Sequence, residues 1–288
     1  MTTRVSAPVR IDISGGWPDS DPYRKDFGGY VLNAAINLRV SGYLDDSNLT
    51  TSLGEVPRSS GLGTSGALRA VYLAAANTNL IKDKKNLIQR VHKFENEVIG
   101  HRAGFQDEAA AIYGGLNLWE FNTNDSIRRE QIYYGSQDLE NKLILVYTGK
   151  THLSSNLHDN VFGPKNYDEN IPKLDRMKEI SKDMARSIKS NGDITDLVKE
   201  TWELQRSLDK SIETELMKDL IEDITYFFPC ACKATGAGGG GCLIIYSNDE
   251  RNKSLIENRL IKRYQDKNPG FKIIPFKFDY NGLKIEED

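Results

Sequence analysis

The chain has 288 residues, 39% of them hydrophobic, enough to bury a core in one unit of two lobes or two modest domains. A formal net charge of −3 excludes the broadly basic surface of a nucleic-acid binder, so any anionic ligand has to be held by local groups. The N-terminal segment has no long apolar run and no stretch approaches the roughly 20 apolar residues of a membrane helix, which predicts a soluble cytoplasmic protein with no membrane partner.

In chain order, the alternation Val9-Arg10-Ile11-Asp12-Ile13 predicts a strand that runs into the glycine turn Ser14-Gly15-Gly16. A second glycine loop, Gly61-Leu62-Gly63-Thr64-Ser65-Gly66, opens a helix, because residues 67–76 are rich in strong helix formers. Leu87, Val91, Phe94 and Val98 recur at helical spacing through residues 84–99, and Gly100 is placed to end that helix. A short helix is expected over 106–113, strands over 116–121 and 142–147, and a polar joining stretch over 158–170. Residues 171–228 read as mostly helical. A third glycine turn, Gly236 to Gly241, leads into a buried strand from Cys242, and a last strand is expected over 271–278. Strands followed by helices argue for α+β rather than a doubly wound parallel sheet. Cys230, Cys232 and Cys242 lack a zinc-like spacing and read as small buried residues of a reduced protein.

Several residues carry candidate chemistry. The second glycine loop lets the backbone approach an anion while the helix behind it aims free N–H groups and a positive dipole end at it. A plain helix cap explains the same residues, and no Lys follows the last glycine as a Walker A loop requires. The Ser65 hydroxyl can enter a magnesium shell. Glu95 projects within the apolar stripe, where a carboxylate is costly unless paired or bound to metal; Glu97 points to solvent. Asp107 stands either as an ordinary first-turn acid or as a reacting carboxylate. Arg10 is by default a solvated strand residue, or else it stabilises a transferring phosphoryl group or a nearby carboxylate. Asp19 is a turn residue or an acceptor for sugar hydroxyls, with Trp17 offering an apolar ring face. His92, His101, His152 and His158 show no metal-ligand spacing and read as surface residues.

Taken together, three stretches resemble the signature motifs of the GHMP kinases: residues 7–16, 57–67 and 235–241. The resemblance implies a two-domain α+β fold, with a ribosomal S5 domain 2-like N-terminal domain over 1–155 and a ferredoxin-like C-terminal domain over 156–288. It implies an ATP- and Mg²⁺-dependent kinase acting on a small-molecule sugar, with a homodimer as the assembly considered. Gly61, Leu62, Gly63, Thr64, Ser65 and Gly66, with Gly236, Gly238 and Gly239, would serve the nucleotide. Ser65 and Glu95 would hold Mg²⁺, Asp107 and Arg10 would carry catalysis, and Asp19, Trp17, Gly104 and Gln106 would bind substrate. Gly15-Gly16-Trp17-Pro18-Asp19, residues 27–33, residues 106–110 and residues 147–151 look like the branch of D-glycero-D-manno-heptose 7-phosphate kinases and L-fucokinases, which implies transfer to the anomeric hydroxyl of an aldose. The other reading of the resemblance is a non-catalytic sensor or scaffold of the same fold. Two departures stand out: residues 33 to 57 leave room for little more than one strand and a turn, and Gly66 stands where Ser or Ala is usual.

Overall fold

The computed structural model describes residues 2–45, 48–100, 102–151 and 154–287. Strand β1 (Thr2–Ser14) leads to a short helix α1 (Tyr23–Phe27) and a long strand β2 (Gly29–Asp45), followed by β3 (Asn48–Ser52). Helices α2 (Thr64–Ala76), α3 (Lys84–Lys93) and α4 (Gln106–Tyr113) come next, then β4 (Leu116–Phe121), β5 (Ile127–Gln131), α5 (Ser136–Lys142) and β6 (Leu143–Tyr147). The second half runs α6 (Ser154–Phe162), α7 (Tyr167–Lys189), α8 (Thr195–Leu208), α9 (Glu215–Phe227), β7 (Cys230–Ala234), β8 (Cys242–Ser247), α10 (Arg251–Leu260), β9 (Lys272–Ile274) and β10 (Lys284–Glu287).

Two antiparallel sheets result, one in the order β10-β1-β2-β4-β5 with β3 beside β2, the other β7-β8-β6-β9. They interleave along the chain. The second sheet takes β6 from before residue 155, and β10 returns to pair with β1 across Val5 and Ile285. Side chains of β6 and β8 alternate between two cores, as the period of two in a strand demands. Leu143, Leu145, Ile244 and Tyr246 pack with the first sheet, whereas Ile144, Val146, Leu243 and Ile245 pack under α9 and α10.

Several predicted elements need correction. The span 33–57 holds two strands rather than one, since β2 continues to Asp45 and β3 pairs back on it through Tyr43 and Thr50. The polar stretch 158–170 is helical, divided between α6 and α7. Only Lys272–Ile274 of the expected last strand is a strand, and Phe278 forms an isolated bridge to Ile36. The helix expected over 84–99 changes at Phe94 into a π-helical turn, Phe94–Ile99. All three cysteines are buried and free. Among the described residues no helix is long and apolar enough to cross a membrane.

Candidate active site

The three glycine turns meet at one place. The Gly61 carbonyl accepts from Arg10 Nη1 (2.5 Å), and a Cβ on Gly61 would stand 2.5 Å from the Thr235 carbonyl oxygen. The Ser60 carbonyl accepts from the Cys242 amide (2.8 Å), and Thr235 Oγ1 accepts from the Asp12 amide (2.7 Å). Gly61, at φ +75°, and Gly236, at φ +84°, press backbone on backbone, which no residue with a side chain permits. Between them opens a cleft of about 670 Å³.

Asp107, in the first turn of α4, stands in this cleft with Arg10 of β1. Arg10 Nε donates to Asp107 Oδ1 (2.8 Å), Nη2 lies 2.6 Å from the same oxygen, and the guanidinium is almost fully buried. The solvated reading of Arg10 is therefore wrong: both faces of β1 are covered, so its alternation does not separate core from solvent. Asp107 Oδ2 accepts no hydrogen bond within the described residues and faces the cleft.

Ser65 lies in the first turn of α2 and donates to Glu95 Oε1 (2.5 Å). Glu95 is buried at 3% exposure because the π-helical turn carries it inward; the same turn throws Val98 out to 69% exposure, contrary to the expected stripe. No side chain caps α2, whose N-cap is Gly63 at φ +71°, so its leading amides face the cleft uncapped.

On the acceptor side, Asp19 is buried and its Oδ2 accepts from the Gln106 amide (2.9 Å), while Gln106 Nε2 donates to the Gly16 carbonyl (3.1 Å). Burial pushes the Asp19 carboxyl well above the usual range; the Gln106 amide opposes this, and the charges of Asp107 and Asp12 add to it. A Cβ on Gly104 would meet Asp19 Oδ2 at 2.1 Å, so this glycine makes room for the carboxyl. Trp17 is buried, with its ring centroid 5.0 Å from that of His158.

Six buried polar atoms along this wall have no hydrogen-bond partner among the described residues: Trp17 Nε1, Asp19 Oδ1, Ser60 Oγ, Thr64 Oγ1, Arg69 Nε and Gln106 Oε1. Buried polar groups are nearly always satisfied, so such a concentration marks a surface built for a polar ligand. Ser60, Arg69 and His158 line the cleft and were not singled out from the sequence as site residues. The Ser-Gly loop and the i, i+4 spacing of Ser65 and Arg69 on one helix face carry the only signal for the first two.

Four predicted ligand-binding residues do not reach the cleft wall. The Leu62 side chain lies in the core, and its carbonyl accepts from the Arg10 amide (2.9 Å). Gly66 faces α4, a Cβ on Gly238 would strike Ile212, and the Gly239 amide donates to the Ile212 carbonyl (2.8 Å). His92 is not a surface residue either. Its ring stacks on Phe105 at 3.6 Å and its Nδ1 lies 3.3 Å from Oε1 of the fully buried Glu108. His101 and His152 lie outside the described residues. Arg24 is buried between Asp21 and Asp125, and Lys25 pairs with Asp21 at the surface. Arg102 does reach the cleft rim, where it pairs with Asp159 (2.9 Å).

A glycine loop that opens a helix, sharing one cleft with an Arg-held carboxylate, defines an α+β protein whose cleft has the geometry suited to an anionic ligand. Comparison with known proteins points the same way. The profile of the GHMP kinases N terminal domain matches residues 30–115. It is 24% identical over 329 residues to the bifunctional fucokinase/GDP-fucose pyrophosphorylase of Arabidopsis thaliana, covering 90% of this chain and 31% of that protein. It thus spans about a third of that relative. Identity to the D-glycero-alpha-D-manno-heptose 7-phosphate kinase of Campylobacter jejuni is 21% over 313 residues, covering 89% of this chain and 92% of the relative. In fold it is similar to the crystal structure of a D-glycero-D-manno-heptose 1-phosphate kinase from Bacteroides thetaiotaomicron, with a TM-score of 0.74, 20% identity and 99% of both chains covered.

Proposed function

We propose that this protein is an ATP-dependent sugar kinase that transfers the γ-phosphoryl group to the anomeric hydroxyl of an aldose, either a fucose-like sugar or D-glycero-D-manno-heptose 7-phosphate. The observation that carries this reading is the Asp107–Arg10 pair at 2.8 Å, set in the same cleft as the Gly61–Ser65 loop. A binding module needs the loop; a phosphoryl-transfer enzyme needs in addition a carboxylate held beside it.

The uncapped amides of α2 and the orphaned Thr64 and Ser60 hydroxyls would cradle the phosphates. Ser65 and Glu95 form an all-oxygen donor pair that suits a hard cation completing its shell with phosphate and water oxygens. Magnesium, when bound, supplies charge neutralisation at the phosphate chain. Asp19, Gln106 and Trp17 would orient the sugar through their unpartnered polar atoms. Asp107 Oδ2 would then accept the hydrogen of the attacking hydroxyl while Arg10 fixes Oδ1 and balances the charge that builds on the phosphoryl oxygens. A reaction fed by ATP suits a cytoplasmic protein.

The test is release of ADP in a coupled assay across fucose, other aldoses and heptose 7-phosphate. We expect turnover with at least one of them, and a loss of about 10²–10⁴ in kcat for Asp107→Ala with unchanged circular dichroism. Absence of turnover with every sugar, or full activity in Asp107→Ala, would overturn the reading.

A further inference from the structure

The end of α4 farthest from Asp107 borders a second cavity of about 670 Å³. Lys84, Tyr113, Arg129, Tyr133 and Tyr280 line it. The Tyr113 ring takes the Lys84 ammonium on its face at 5.0 Å and the Arg129 guanidinium at 4.8 Å, so two cations flank one ring. Neither has a carboxylate within ion-pair distance among the described residues; Arg129 donates to Asn117 Oδ1 (2.7 Å) and more weakly to the Gly114 carbonyl (3.4 Å). Glu140 also faces this cavity, but it accepts from Lys277 Nζ (2.8 Å) and from the Phe278 amide (2.5 Å). Asp83, beside Lys84, is engaged in capping α3 through the Asn86 amide (3.1 Å).

Burial lowers the proton affinity of both cations, and for Lys84 the charge of Arg129 lowers it further. Two half-buried cations held together without a counter-charge are the complement of a multiply charged anion, and the guanidinium fork matches phosphate in particular. Beside them the Tyr133 and Tyr280 rings lie nearly parallel, 14° apart in plane and 6.4 Å between centroids, and Tyr133 is 69% exposed. Exposed aromatic faces next to a cationic pair recognise a planar ring that carries an anionic group.

We propose that this cavity is a second ligand site that takes a nucleoside phosphate, with the base on Tyr133 and Tyr280 and the phosphate on Lys84 and Arg129. The volume lies within the range of small-molecule pockets. The proposal is independent of the phosphoryl-transfer reading, because none of these residues borders the first cleft.

Equilibrium dialysis with AMP, GMP, UMP and inorganic phosphate as probes tests it. We expect at least one equivalent of at least one monophosphate per chain in the wild type. The double variant Lys84→Gln/Arg129→Gln should weaken one class of site by about tenfold or more, while turnover stays at the wild-type level. Tyr280→Ala, at a ring 43% exposed, should weaken the same class and serves as a second variant beside the double one. No monophosphate bound by the wild type, or binding that survives all of these substitutions, overturns the proposal. Inorganic phosphate that binds this site as tightly as the nucleotides would also overturn it, since the rings would then contribute nothing.

Discussion

Glu108 follows Asp107 directly, and its carboxyl is fully buried with neither oxygen hydrogen-bonded among the described residues. Burial pushes it well above its ordinary value of 4.5, and the charges of Glu95 and Asp107 push the same way. Its neighbour His92 moves oppositely, since burial lowers the imidazole from 6.5 to about 4. The signs of the two linkages differ. Where Glu108 stays protonated in the folded chain but ionises in the unfolded one, stability falls as pH rises above the ordinary carboxylate value. Where His92 stays neutral in the folded chain but is protonated when unfolded, stability falls as pH drops from 6.5 toward about 4. Glu108→Gln keeps the shape and the neutral state while removing the ionisation. It should therefore raise Tm at about pH 8, with the advantage closing as the pH approaches about 4.5. Melting curves across that range check this; a variant less stable than wild type at the alkaline end would mean that Glu108 is ionised and paired with His92.

Helices α2 and α4 cross so closely that a Cβ on Gly66 would stand 2.7 Å from Asp107 Cβ and 2.9 Å from the Glu108 amide nitrogen. The glycine is thus what lets the loop helix touch the helix that carries Asp107. Gly66→Ser should push the first turn of α4 away, cost about 1–3 kcal/mol of stability, and lower kcat by about 10²-fold with little change in KM for ATP. Wild-type kcat in Gly66→Ser or Gly66→Ala would show that the crossing does not set Asp107. The bounds of α2 and α4 were readable in advance because alanine-rich runs and flanking glycines announce them locally. The inward turn of Glu95 was readable from periodicity, but the π-helical turn that puts it there was not, which is why Val98 was placed in the core and is exposed. His92 was misread as exposed, and the solvated alternative for Arg10 fails, for a related reason. What covers them, Asp107 on α4 and Phe105 before it, is supplied by residues distant in sequence. Short strands such as β10, with exposed charges and no alternation of apolar residues, leave no local mark.

The two sheets are locked together beside the cleft by one ion pair that no sequence pattern announced. Lys233, on β7 of the second sheet, donates to the Asp12 carbonyl (2.9 Å), to Asp12 Oδ2 (3.1 Å) and to the Ala234 carbonyl (2.7 Å). Asp12 belongs to β1 of the first sheet, and both side chains are 1% exposed. A Cβ on Gly16 would meet Asp12 Oδ2 at 2.2 Å, so the same carboxylate fits against the first glycine turn. Burial lowers the Lys233 amine below its ordinary value, opposed by Asp12, as expected for a cation that is desolvated and kept charged by one partner. In such a pair the cost of removing one member exceeds the net worth of the pair, because the survivor remains buried and uncompensated. Lys233→Met should therefore cost about 3–5 kcal/mol in urea unfolding, whereas the double variant Asp12→Leu/Lys233→Met should recover most of that loss. The double variant should nonetheless lose turnover, because Asp12 no longer ties the first glycine turn, on which Gln106 and Asp19 depend, to the strand that precedes the third. A Lys233→Met protein within about 1 kcal/mol of wild type would sink the account of the pair as a buried lock. A double variant that is both stable and fully active would leave the lock intact but remove its link to the cleft.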